Sequence, residues 1–172
     1  MGGVRKALKI NVIRDYNVKY TNHKIGEEAL YSFLVLWYAK TVAFIEKPLY
    51  NYVQRGDSQS HIRVDDPWGD VALAMKARIS EMGLYPKYAD TINAFLLTAS
   101  AVSANSIAKN HTFSTYLMEI KKCRKRLSKA IDCKYHIDRA SMSIKARIIG
   151  WMLLHGFYRL VWVIVKLREM KR

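Results

Sequence analysis

Ile25-Gly26-Glu27-Glu28-Ala29-Leu30-Tyr31, followed downstream by Pro48-Leu49-Tyr50-Asn51-Tyr52, decides how this chain is read. Two carboxylates follow a glycine and open an apolar run. Within it Leu30, Phe33, Leu34 and Trp37 fall at i, i+3, i+4 and i+7, so a helix is predicted over residues 26–39. Acidic residues suit a helix's first turn because they complement the positive end of its macrodipole, which is one sufficient reason for Glu27 and Glu28. The other reason is chemical. A carboxylate at a helix start can be aimed into a cleft while the helix body anchors it, as a general base requires. Adjacent helical residues point about 100° apart, so one of the pair can face a cleft while the other holds the local structure. Beyond the helix, Thr41-Val42-Ala43-Phe44-Ile45 is β-prone, Pro48 breaks the run, and residues 49–53 predict a second extended piece. Gly56-Asp57-Ser58 is turn chemistry.

Downstream the pattern turns helical. Asp66 suits an N-cap and Pro67 a first helical position, and the helix should run to about Met82, with Gly83 as terminator. A second helix is predicted from near Pro86, with Ile92, Phe95, Leu96, Ala99 and Val102 on one side and many Ala and Ser residues that permit close helix approach. A third begins near Thr112 or Ser114. Tyr116, Ile120, Leu127 and Ile131 line one of its faces, and Lys121, Lys122, Arg124, Lys125, Arg126 and Lys129 crowd the rest. A composition shift near residues 62–67 is the best internal boundary. The expected organisation is therefore 1–62, a helical tail at 63–141, and a basic amphipathic segment at 142–172.

In that last segment Ile148 to Val165 is apolar except for His155 and Arg159. Eighteen residues barely reach the length of a span, and a central Arg makes spanning costly, by at least about 2.5 kcal/mol. On one continuous helix His155, Arg159 and Lys166 share a stripe. Trp151 and Trp162 add amphipathic aromatics, and basic residues flank the block. This is the build of a helix lying in a membrane interface; a helix docked on the domain or a partner, and a true span, are the alternatives.

The 172 residues carry 29 Lys plus Arg against 14 Asp plus Glu, a formal net charge of +15, which favours an anionic partner. A content of 51% hydrophobic residues argues against global disorder. Cys123 and Cys133 have neither metal-knuckle spacing nor the number for a disulfide framework, and read as reduced cytosolic thiols. The basic start has no apolar block behind it and is no secretory signal. Nucleotide-loop, dinucleotide-fingerprint and hydrolase-elbow motifs are absent, as is an Asp-x-Asp-like metal motif. Asp65-Asp66 comes after the acidic pair and directly before a helix, and reads as a cap.

Taken in order, Gly26-Glu27-Glu28, Tyr31, Ala39-Lys40, Val42 to Ile45, Pro48-Leu49-Tyr50-Asn51-Tyr52, Arg55 and Ser58 resemble the acceptor-side half of family 2 glycosyltransferases of the capsular and cell-wall polysaccharide type. The resemblance covers roughly residues 5–62. It implies a mainly α fold with a small β element: an incomplete, GT-A-like C-terminal part followed by a helical tail. It implies that Glu28 is the catalytic base, with Glu27 its helper, in an inverting sugar transfer. It further implies substrate contacts at Tyr52, Arg55 and Ser58, with Arg55 on the leaving diphosphate, and a metal contact at His61. Glu28 stands where the family has Asp, and Val53 where it often has Arg. The implied partners are a nucleotide sugar, Mg2+ or Mn2+, a polysaccharide or glycolipid acceptor, an anionic membrane surface on the cytoplasmic side, and a nucleotide-binding N-terminal half on another chain. Without that half the expectation is an inactive fragment. The rival reading is a non-enzymatic basic helical protein that binds nucleic acid through residues 121–129 or docks on a membrane partner. No DNA-reading motif is present, so nucleic acid stands second.

Overall fold

The computed structural model describes residues 7–19, 27–47, 65, 66 and 68–170, and the chain divides into two compact units, Met1–Ile62 and Arg63–Arg172. The described residues are mainly α-helical and contain no strand.

The first unit holds α1 (Ile10–Asp15) and α2 (Glu27–Tyr38), with Tyr16 stacked on Tyr38 at 3.9 Å between ring centroids. The helix predicted from the acidic pair is present, but its buried face is turned by about one residue. Leu30, Tyr31, Leu34 and Val35 are buried, Phe33 is half-buried and Trp37 is exposed. Tyr31 and Val35 take the inner face, while Trp37 leans on Phe33 at the helix edge. The β-prone run at 41–45 is irregular and exposed. A strand needs a neighbour to take its backbone hydrogen bonds, and none lies among the described residues. The second extended piece, at 49–53, falls outside them.

The second unit is built around one long helix. α3 (Gly69–Glu81), α5 (Phe113–Ala130), α6 (Ile144–Leu154) and α7 (Tyr158–Met170) all pack on α4 (Tyr85–Asn110). Small residues let them approach from several sides: Ala89, Ala94, Ala99, Ser100, Ala101, Ser103, Ala104 and Ala108 are all buried. α4 is the one described helix long and apolar enough to cross a membrane, but most of its apolar stretch is covered by its neighbours, as in a bundle's core helix. α6 crosses α4 so closely that a Cβ at Gly150 would sit 2.6 Å from Leu97 Cγ.

α3 starts at Gly69, two residues later than the capping signal suggests, yet Asp66 still caps it: Gly69 N donates to Asp66 Oδ1 at 2.9 Å. Asp66 Oδ2 accepts from Arg126 Nη1 at 2.6 Å, and Ser103 Oγ donates to Asp66 Oδ1. Asp65 pairs with His111 at 2.6 Å and accepts from Asn110 at 3.2 Å. The acidic pair thus ties the start of α3 to α4 and α5. At the other end of α3, Gly83 N and Leu84 N donate to Ser80 O and Ile79 O, closing the predicted stop as a Schellman motif.

Asn93, fully buried on α4, fixes the loop after α5. Its Nδ2 donates to Asp132 O at 3.0 Å and His136 O at 3.3 Å, and its Oδ1 accepts from Asp132 N at 3.2 Å. Asn93→Ala leaves these loop groups without partners and should lower unfolding free energy by about 2–3 kcal/mol, read from urea denaturation. A change below about 0.5 kcal/mol, the scatter of neutral surface substitutions, would show that the clamp contributes nothing.

The 142–172 segment is not one helix, and in the structure its described residues are part of the second unit. α6 ends at Leu154, Gly156 adopts φ +78°, and α7 starts at Tyr158. Phe157 N donates to Met152 O at 2.9 Å and Gly156 N to Leu153 O at 3.2 Å, a second Schellman stop. A side chain at 156 would strain that left-handed backbone. The break resets the helical phase, so His155, Arg159 and Lys166 no longer form one stripe.

Candidate functional site

In the first unit, Glu27 and Glu28 open α2 as expected. Glu28 lies in the first turn, half-buried, at the positive end of the helix. The side chain of Glu27 and the whole of Tyr52, Arg55, Ser58 and His61 fall outside the described residues. No cluster of three or more His, Cys, Asp or Glu suited to a metal occurs among the described residues.

The second unit offers a different surface. On α6, Ala146, Ile149, Gly150 and Leu153 are buried, whereas Ile144, Ile148 and Trp151 are exposed. At 100° per residue these exposed apolar positions centre opposite the buried ones. α7 repeats the pattern: Val161 and Val165 are buried, and Leu160, Val163, Leu167 and Met170 are exposed. At the turn, Trp151 stacks on Phe157 at 5.4 Å and lies 4.6 Å from His155. Exposed Lys145, Arg147, Arg159 and Arg168 border these stripes.

Of the four side chains expected at an interface, Trp151 and Arg159 point outward. Trp162 and Lys166 do not. Trp162 is half-buried, edge-on to Phe113 at 5.2 Å, and Lys166 pairs with Glu169 at 3.1 Å while donating to Lys109 O at 3.4 Å. The reset at Gly156 turns both toward the bundle. The signal that sequence reasoning passed over was Gly156 itself, inside a run read as continuous. Leu160 and Val163, two principal outward residues, follow from it.

Part of the cationic face of α5 is engaged within the protein. Arg126 pairs with Asp66 and Asp70, Lys122 pairs with Glu119 at 2.7 Å, and Arg124 donates to Leu154 O at 3.2 Å. Cys123 lies between α3, α4 and α5. Burial, with the Asp66 carboxylate adding to it, pushes its thiol up to about 11, against the opposing pull of Arg126 and a hydrogen bond with Ser100. A thiol so held is protonated at neutral pH and is no nucleophile. Burial also raises the Tyr116 phenol, whose hydroxyl donates to Tyr158 O at 2.9 Å.

No family model, curated protein or solved structure matches the chain.

Proposed function

We propose that the chain is the acceptor-side part of a family 2 glycosyltransferase, held on an anionic membrane surface at the cytoplasmic face by its helical unit. The observation that carries the reading is the ordered series from Gly26-Glu27-Glu28 to Ser58, with Glu28 in the first turn of a helix that begins at Glu27. Glu28 takes the proton of an acceptor hydroxyl as that oxygen attacks the anomeric carbon of a nucleotide sugar. The bond to the nucleoside diphosphate breaks, and the diphosphate leaves with the electron pair. Arg55 is the cation suited to that growing charge. No group suited to the Mg2+ or Mn2+ implied by the resemblance occurs among the described residues, and His61, the metal contact it implies, lies outside them. Nor do the described residues contain the βαβ units that hold a nucleotide in such enzymes.

The test is transfer of radiolabelled sugar from a panel of nucleotide sugars to cell-envelope lipid. The 172 residues alone should give no transfer above background, and adding a nucleotide-sugar-binding half should restore it. Transfer by the purified chain by itself would overturn the division of labour proposed, and failure with every matched half would overturn the reading.

A further inference from the structure

A groove of about 520 Å3 lies between α4, α6 and α7, within the size range of small-ligand sites. It is lined by the start of α6 and the end of α7, so it sits at the end of the hairpin away from Gly156. Its floor is apolar and buried: Ala101 from α4, Ala146 and Ile149 from α6, Val165 from α7. Its rim is cationic, with Lys109, Lys145 and Arg168 coming from three different helices. Thr98, Asn105 and Ser143 add uncharged polar groups. The one carboxylate in the lining, Glu169, is already paired with Lys166. None of the three rim cations pairs with a carboxylate among the described residues. α6 begins at this groove, so the positive end of its macrodipole adds to the same field.

We propose that this groove binds a phosphate ester carried on an apolar chain. The phosphate sits among Lys109, Lys145 and Arg168, and the chain covers the apolar floor. Three cations from separate helices line one groove and none pairs with a carboxylate among the described residues, so their combined field favours an anion there. The apolar floor distinguishes a lipid-borne phosphate from a bare one. The inference does not rest on sugar transfer, and its test reads binding alone.

Isothermal titration of the full chain with three monomeric probes decides it: dihexanoyl phosphatidic acid, glycerol 3-phosphate and dihexanoyl phosphatidylcholine. Phosphatidic acid should bind at one saturable site. The Lys145→Gln, Arg168→Gln double variant should weaken this by about tenfold or more, with circular dichroism and melting temperature unchanged because both side chains are exposed. Serine at Ile148 and Trp151, on the opposite face of α6, should leave it unaltered. Much weaker binding of glycerol 3-phosphate assigns the ligand to a lipid, whereas equal binding assigns it to a soluble phosphate ester and overturns the apolar chain's part in the proposal. Absence of saturable binding by both phosphate monoesters, undiminished binding by the double variant, or equal binding of phosphatidylcholine would overturn the proposal.

Discussion

Serine at Ile148, Trp151, Leu160 and Val163 together should lower binding to phosphatidylglycerol-containing vesicles by at least about 100-fold. Fully burying a large apolar side chain is favourable by about 1.5–3 kcal/mol. These four are already about half covered, at 43–49% exposure, so roughly half of that remains to be gained on reaching lipid. Four such contributions sum to about 4 kcal/mol, or close to three decades in a partition constant at 1.4 kcal/mol each. Incomplete insertion reduces this toward two decades. The substitutions lie outside the bundle, so the melting temperature should hold. Neutralising Arg159 should cost a further factor of about five, consistent with roughly 1 kcal/mol per basic residue near an anionic surface, and that loss should shrink in salt. Undiminished vesicle binding by the fourfold variant would remove the hairpin from the interface. Displacement of the chain from vesicles by DNA would favour the nucleic-acid reading instead. The pairing of Arg126 with Asp66 and Asp70, and of Lys122 with Glu119, argues against that result, because it offsets two of the six cations on which the basic face of α5 depends.

How far the fold can be read from the residues depends on how local each decision is. The starts of α2, α4 and α5 and the stop after α3 follow from breakers and caps within one turn of the boundary, and the sequence predicts them closely. The buried face of α2 is less local. Tyr31 and Val35 lie outside the i, i+3, i+4, i+7 stripe, and only tertiary packing buries them. The run at 41–45 has strand composition, but composition cannot supply a pairing strand. Gly156 fails for the opposite reason. Its effect is local, but an apolar stretch from Ile148 to Val165 masks a single glycine when hydropathy is averaged, and only the hydrogen bonds to Met152 and Leu153 expose the stop. For the sites, the helix-start position of Glu28 was legible because it needs only α2. The groove was not, because Lys109, Lys145 and Arg168 belong to separate helices and meet only through the packing of α6 and α7 on α4.

Glu28→Gln should lower sugar transfer by about 10^2–10^4-fold, the usual contribution of a positioned general base, when the chain is assayed with a complementing nucleotide-sugar-binding half. The amide keeps the side chain's length and its hydrogen-bonding oxygen but cannot take the acceptor's proton. The effect should therefore fall on kcat, with the acceptor KM changed by less than a few-fold. Glu28→Asp supplies the family's own residue and should retain activity within about tenfold, since the chemistry is preserved and only the placement moves. Glu27→Gln should have the smaller effect, because the neighbouring residue on α2 points about 100° away. A macrodipole partner gives a different pattern. In that role either glutamate contributes at most about 1 kcal/mol of helix stability, and both Gln variants would shift melting slightly while leaving turnover alone. Full turnover in Glu28→Gln would assign the pair to the helix end and leave the transfer step without a base in this chain.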